Sequence, residues 1–286
     1  MNFIPCRERV FPYRLNAADL YPLYLKWLKH LGERLGAPST LSMWRNTFKA
    51  YDERLLIQIL SSAWQEDQSA EGNTEDRIHA ALKEFLAETH LDWAENEIGD
   101  ILEHTPPIYQ IQRFFGGKTM EKDISAYDAL HLRFDGFAHL AETIIQTYKK
   151  QGELIVYDLM IESRLAANHG KTCTVEEFIT DFTAEGTERN LFTAGLKFEV
   201  IQKTTRVATL HVRECEWARY FQERHPGVGY LMACSTDEVS YKACNPSLRM
   251  QRTQTLMEGG EMCDFKIYSV ADTSNPAIFH LSPLSH

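Results

Sequence analysis

Residues 196–212 read LKFEVIQKTTRVATLHV, and the fold class is predicted from the pattern of these residues. Apolar and polar side chains alternate over 196–200 and again over 208–212. A period of two is typical of strands that bury one face. A short helix is expected to follow at 214–225. Further strands are predicted at 230–234 and 239–243, and a hairpin is predicted from 251–257 and 262–268 around a Glu258-Gly259-Gly260 turn.

The residues before this sheet show helical spacing instead. In the segment 20–36, leucines recur at intervals that place them on one helical face. Helices followed by an antiparallel sheet indicate an α+β chain. We therefore divide it into a helical region, 1–120, and an α/β domain with an antiparallel sheet, 121–286. Helices are predicted at 20–36, 52–64, 75–89, 92–102, 127–151 and 153–168, with Pro106-Pro107 expected to stop the fourth.

Composition excludes several classes of partner. The 286 residues include 30 basic and 40 acidic side chains, which gives a net charge of −10. Nucleic acids and anionic membranes both attract cationic surfaces, so both are disfavoured as partners. No run of about 18 apolar residues could span a bilayer, and Arg7, Glu8 and Arg9 interrupt the apolar stretch that a signal peptide needs. We therefore expect a cytoplasmic protein that binds a small molecule. Its six cysteines are expected to be thiols: Cys6, Cys173, Cys215, Cys234, Cys244 and Cys263.

The residues that carry chemistry are concentrated near the C-terminal end of the chain. Five short motifs occur there in order: VREC at 212–215, LMACSTD at 231–237, NP at 245–246, RTQTLMEG at 252–259 and CDF at 263–265. In order and spacing they resemble the pattern of the L-2-amino-thiazoline-4-carboxylic acid hydrolase family. The resemblance extends over about 125–270. This family is itself distantly similar to small-molecule-binding domains of the 4-vinyl reductase type.

The resemblance implies a hydrolase-like enzyme that opens a small C=N heterocycle or amide carrying a carboxylate, of the 2-aminothiazoline-4-carboxylate type. Such a reaction adds a nucleophile to an amidine-like carbon and expels an amine or a thiolate. Cys234 and Cys263 are the candidate nucleophiles, because a thiolate is a strong intrinsic nucleophile. Asp237 is the candidate base or amidinium ligand. A water molecule activated by Asp237 would leave the same pattern of residues.

Further residues of the motifs are candidates for substrate binding. Arg252 is expected to bind the substrate carboxylate through two parallel hydrogen bonds. Thr253, Thr255 and Glu258 are expected to complete a polar wall. His211 is a candidate base, although its alternation with its neighbours on the strand places it on the face opposite them.

Every one of these residues also has a structural interpretation. Cysteine is among the most often buried residue types, and Cys215 and Cys244 are interpreted in this way. Asp237 could cap a turn, Arg252 could pair with a carboxylate across the hairpin, and His211 could be an exposed residue of a strand. These alternatives stay open from the sequence alone.

We expect no cofactor. No CxxC or HExxH motif is present, and Arg252 and Thr255 stand near the positions where some members of the wider group hold zinc. Two other functions remain open: a ligand-binding or sensor domain that uses the same cavity without turnover, and a related enzyme that forms a bond. The N-terminal helices are interpreted as a lid or as a dimerisation surface, and the latter would make the protein a homo-oligomer.

Overall fold

The computed structural model describes residues 5–69, 73–168, 174–177 and 191–270. Helices dominate the N-terminal half and an antiparallel sheet lies in the C-terminal half, so the predicted α+β class is confirmed. The helices are α1 (Ala17–Leu35), α2 (Ala37–Lys49), α3 (Arg54–Leu60), α4 (Thr74–Glu88), α5 (Glu95–Glu103), α6 (Pro106–Phe115), α7 (Ala126–Tyr148), α8 (Lys150–Asn168), α9 (Leu191–Ala194), α10 (Glu216–Arg224) and α11 (Asp237–Cys244). The strands are β1 (Val10–Leu15), β2 (Gln65–Glu66), β3 (Met120–Ser125), β4 (Leu196–Lys203), β5 (Val207–Cys215), β6 (Leu248–Gln251) and β7 (Cys263–Ser269). Cys173 and the expected helix end at 169–170 lie outside the described residues.

The long helices begin and end at residues whose chemistry suits those positions. The side chain of Asn16 accepts a hydrogen bond from the N–H of Ala18 at 2.8 Å and caps α1. Gly36 ends α1 with φ at +81°, a conformation that glycine adopts without a Cβ penalty. Ser125 caps α7 by accepting from the N–H of Asp128 at 3.1 Å. The predictions for α1, α4, α7 and α8 are confirmed to within a few residues at the described ends.

An aromatic core joins the N-terminal helices to α7. The rings of Tyr24 and Phe137 stack with their centroids 4.1 Å apart, and Trp44 contacts Tyr24 edge-on at 5.7 Å. The indole N–H of Trp44 donates to the hydroxyl of Thr105 at 2.9 Å, so its polar atom is satisfied. The same cluster of buried apolar side chains includes Met232 from the C-terminal half. Residues on both sides of position 120 thus pack together, and the division there stays a prediction.

The C-terminal sheet has the strand order β4-β5-β7-β6, and all its pairings are antiparallel. Val212 of β5 lies opposite Cys263 of β7, and Leu210 lies opposite Phe265. Because successive side chains of a strand point to opposite faces, these four residues share one face of the sheet. That face is turned towards α8 and α11. Within the described residues, no helix combines the length and the apolarity needed to cross a membrane.

Two of the predicted strands are helical instead. Residues 230–234 form a π-helical turn, in which the N–H of Ser235 donates to the carbonyl of Tyr230 at 2.8 Å, and residues 239–243 lie within α11. Short apolar runs fit a buried strand or a buried helix equally well, so their periodicity could not decide. Asp237 and Glu238 in the first turn of α11 complement the positive end of its dipole, a helix signal that the prediction overlooked.

The N-terminal half is not helical throughout. It contains a sheet of order β1-β3-β2, in which Val10 pairs with Ser125. In the predicted hairpin the strand 262–268 is confirmed as β7, but the strand 251–257 is wrong. The observed strand β6 ends at Gln251, and Leu256–Glu258 form a short 3₁₀ helix. Pro106-Pro107 also does more than stop a helix. The two prolines begin α6, a position where their missing N–H groups cost no hydrogen bond.

Candidate active site

A cavity lies between the C-terminal sheet and the helices packed against it. Its volume, measured as the space open to the centre of a water molecule, is about 80 Å³. One water needs roughly 10–15 Å³ by the same measure, so the cavity is several times larger than that. Apolar side chains of β4, β5 and β7 form most of its wall. The polar or aromatic groups that reach it from the other elements and from the strand ends are few. They belong to Arg164, Cys215, Trp217, Cys234, Asp237, Tyr241 and Cys263.

Three cysteines reach this cavity from three different elements. Cys215 ends β5 and caps α10, and its sulfur accepts a hydrogen bond from the N–H of Ala218 at 3.4 Å. Cys263 begins β7, and its sulfur accepts from the N–H of Leu256 at 3.3 Å. Cys234 ends the π-helical turn, and no hydrogen bond to its sulfur is found in the part of the chain that the structure describes. The thiols of Cys215 and Cys263 are therefore each held by a backbone N–H group, whereas no such bond is found for Cys234 among the described residues.

Burial keeps all three thiols protonated near neutral pH. Burial raises the pKa of Cys215 to about 12. Burial and the negative charge of Asp237 raise the pKa of Cys234 well above its ordinary range. Burial also raises the pKa of Cys263, although the N–H of its backbone partner and the charge of Arg252 oppose the shift. Because the thiolate is the reactive form, the protein surroundings of these three thiols do not activate them.

Asp237, the first residue of α11, forms an ion pair with Arg252. Nη1 of the arginine donates to Oδ2 of the aspartate at 2.7 Å. Burial raises the pKa of Asp237 above its ordinary value, and the charges of Arg252 and Arg164 act against that shift. The Arg252 side chain is 6% exposed and lies near the rings of Tyr230 and Phe265, whose centroids are 5.8 and 5.1 Å from its guanidinium carbon. Its cation is thus fixed by both charge and aromatic faces.

Arg252 therefore lies behind Asp237 and does not line the cavity. It also does not pair across the hairpin, because Asp264 accepts the backbone N–H groups of Thr253 and Gln254 at 2.9 Å each. The guanidinium in the cavity wall belongs to Arg164 of α8. Its Nη2 lies 3.4 Å from the carbonyl oxygen of Ala233, next to the thiol-bearing residue.

The remaining predicted binding residues lie outside the cavity. The hydroxyl of Thr253 donates to Asp264 at 2.5 Å, and that of Thr255 donates to Glu258 at 2.9 Å, so both organise the loop between β6 and β7. Glu258 is exposed. His211 lies on the face of β5 opposite its cavity-lining neighbours, as its alternation predicted, and the predicted polar wall does not form.

Arg164, Trp217 and Tyr241 are cavity residues that the sequence analysis did not single out, and Cys215 was interpreted only as a structural thiol. Trp217 lies two residues after the first cysteine motif, which is a signal that could have found it. Nothing in the local sequence distinguishes Arg164 from other cations on helices. In the described ranges, no group of three or more His, Cys, Asp or Glu side chains is arranged to hold a metal ion.

The comparisons with known proteins give one match. Residues 118–267, more than half of the chain, match the family model described as L-2-amino-thiazoline-4-carboxylic acid hydrolase. The matched range includes all the described residues that line the cavity. Neither the curated proteins nor the solved structures include a match to this chain.

Proposed function

Because the chain belongs to the L-2-amino-thiazoline-4-carboxylic acid hydrolase family, we propose that it is a hydrolase-like enzyme that opens a small cyclic amidine carrying a carboxylate. The 2-aminothiazoline-4-carboxylate ring is the type of substrate. One observation carries the proposal: the carboxylate of Asp237 lies in the wall of a mainly apolar cavity, together with three thiols and the guanidinium of Arg164.

The charges of the cavity complement such a substrate. An amidinium presents N–H groups in one plane, and a carboxylate can accept two of them. Arg252 occupies Oδ2 of Asp237, while no hydrogen bond to Oδ1 is found among the described residues. Oδ1 is therefore available to the substrate amidinium. Arg164 supplies the cation for the substrate carboxylate, and the apolar side chains of the sheet cover the ring.

Cys234 is the proposed nucleophile and Asp237 the group that takes its proton. Burial and the negative charge of Asp237 both raise the pKa of this thiol. A cationic amidinium bound between them opposes that effect and favours the thiolate, so the substrate itself activates the cysteine. Cys263 of β7, which lines the same cavity, is proposed to contact the ring during the reaction.

The proposed steps balance without a cofactor. The sulfur of Cys234 bonds to the amidine carbon, and the electron pair of the C=N bond moves to nitrogen. The bond from this carbon to the leaving ring atom then breaks, and that atom receives the proton held by Asp237. Water adds to the carbon and releases the thiol, so the net reaction consumes one water molecule. Direct attack by water activated by Asp237 gives the same products without a covalent intermediate.

A second candidate function is a ligand-binding domain without turnover. The observation that favours it is the raised pKa of all three cavity thiols. A pure binding site needs no thiolate, and it would use the Asp237 and Arg164 charges only to orient its ligand.

The deciding experiment measures ring opening of thiazoline, oxazoline and hydantoin carboxylates by the wild type and by matched variants. Cys234→Ala and Asp237→Asn are expected to reduce turnover by at least about a hundredfold. Cys244→Ala and Glu238→Gln, which alter α11 outside the cavity, are the controls. Mass spectrometry of the quenched wild type is expected to find an adduct on Cys234. Turnover that survives in Cys234→Ala without any adduct would assign the attack to water, and binding without turnover of any compound would favour the ligand-binding domain.

A further inference from the structure

A second cavity lies on the other side of Arg164 and Trp217, between α1, α7 and α8. Each helix contributes residues spaced three or four apart, so one face of each helix is turned towards it. By the same measure as before, its volume is about 190 Å³, compared with about 80 Å³ for the first cavity. The function proposed above assigns nothing to this space.

Cations surround the second cavity. Lys26 of α1, Arg133 of α7 and Arg164 of α8 all line it, and no aspartate or glutamate does among the residues that the structure describes. Among the described residues, neither Lys26 nor Arg133 forms an ion pair with a carboxylate, although Arg133 contacts the hydroxyl of Tyr13. In a chain with a net charge of −10, three cations around one cavity create a local positive potential that favours an anion.

Aromatic side chains form much of the wall of the second cavity. Phe134 and Trp217 pack with their ring centroids 5.1 Å apart, and Trp27 packs against Phe137 at 5.2 Å. These two pairs offer flat apolar surfaces. The indole Nε1 of Trp217 is a buried donor for which no hydrogen-bond acceptor is found in the described part of the chain. A buried donor without an acceptor is costly, so a ligand that supplies an acceptor there gains this interaction.

We propose that this second cavity binds an aromatic carboxylate. The ring lies between the two aromatic pairs, and the carboxylate faces Lys26, Arg133 and Arg164. Arg164 and Trp217 are common to the walls of both cavities, so an occupant of the second cavity touches two residues that also border the proposed active site. The proposal does not depend on the chemistry assigned to the cysteines.

Calorimetric titration of the full-length protein with benzoate and with benzamide tests the proposal. The two probes share a ring and differ in charge, so benzoate is expected to bind at least about tenfold more tightly, given the strength of hydrogen bonds to charged groups. The double variant Lys26→Gln/Arg133→Gln is expected to lose that preference. Lys29→Gln, which removes a cation of α1 outside the cavity, is the matched control and is expected to bind as the wild type does.

Trp217→Phe distinguishes the contribution of the indole N–H to binding from that of the aromatic surface. It keeps an aromatic ring in the wall, and it is expected to weaken benzoate binding several-fold by removing the N–H. Circular dichroism of each variant checks that it is folded. Equal affinities for benzoate and benzamide, unchanged binding by the double variant, or a benzoate Kd above about 1 mM would each overturn the proposal.

Discussion

The guanidinium of Arg252 connects the carboxylate of Asp237 to the backbone of Cys234. Nη1 lies 2.7 Å from Oδ2 of the aspartate, and Nη2 lies 3.1 Å from the carbonyl oxygen of the cysteine. One side chain from the loop after β6 therefore fixes the start of α11 and the end of the π-helical turn. Both groups of the proposed reaction depend on this cation, which itself does not reach the cavity.

Arg252→Gln is expected to impair stability and activity together. It leaves a largely buried carboxylate with less compensation, and breaking such a pair costs on the order of 3 kcal/mol. The loss of the positive charge also raises the pKa of Asp237 further, so activity is expected to shift towards higher pH. Urea unfolding and the pH profile of turnover measure the two effects.

Arg249→Gln is the matched control for that variant. Arg249 is a neighbouring arginine on β6, and it donates to the backbone carbonyls of Pro246 and Leu248. It should lose much less stability and keep the wild-type pH profile. Equal losses in the two variants would show that Arg252 has no special part in fixing Asp237.

The reactivity of the thiols provides a second prediction. Since the pKa of Cys234 is raised by burial and by Asp237, iodoacetamide is expected to alkylate the free protein slowly near neutral pH. A bound cyclic amidine would block the access of iodoacetamide to the thiol, so adding a ligand does not test this effect. Asp237→Asn tests it without a ligand. It removes the negative charge and is expected to lower the thiol pKa, with faster alkylation at pH values above neutral. Peptide mapping identifies the modified cysteine, and rapid alkylation of the wild type would contradict the assigned protonation.

Much of the fold follows from local sequence, whereas the site depends on tertiary contacts. The alternation in 196–212 predicted β4 and β5 because one face of each strand is buried. The conformation of residues 230–234 could not be predicted from their sequence, because a short apolar segment is compatible with both a strand and a helix. The cysteine and aspartate motifs did indicate residues that meet at one cavity. The position of Arg164 in that cavity could not be predicted, since only the packing of α8 against the π-helical turn brings it there.

The packing of α7 against α1 and α6 gives a third prediction. A Cβ at Gly136 would collide with the hydroxyl oxygen of Tyr24 and would lie 2.9 Å from Cγ of Pro107. Gly136→Ala must therefore displace the core, at a cost of about 1–3 kcal/mol. Gly99→Ala in α5 is the opposite case, because a Cβ there meets nothing within 4 Å and alanine favours a helix by up to about 1 kcal/mol. Thermal unfolding should move in opposite directions for the two variants.

A buried cluster around Asp135 leads to the last prediction. Its carboxylate accepts hydrogen bonds from Tyr51 at 2.5 Å and Tyr220 at 2.8 Å, and Nε2 of His225 lies 3.1 Å away. The other ring nitrogen of His225 lies 3.0 Å from Glu142. Burial lowers the pKa of His225, but the two carboxylates outweigh it and raise the pKa from 6.5 to about 9. Burial alone would raise the pKa of Asp135, but hydrogen bonds from His131, His225 and Tyr51 outweigh it and lower that pKa.

A histidine whose pKa is raised on folding stabilises the native state most below its unfolded pKa, and this contribution disappears as the pH rises through the folded pKa. For His225 the window runs from about 6.5 to about 9, and the shift corresponds to about 3 kcal/mol. Urea unfolding across this range should therefore show the stability advantage of the wild type over His225→Gln shrinking as the pH increases. His104→Gln, at an exposed position, should run parallel to the wild type. A constant difference between wild type and His225→Gln would mean that folding does not raise the pKa of this imidazole.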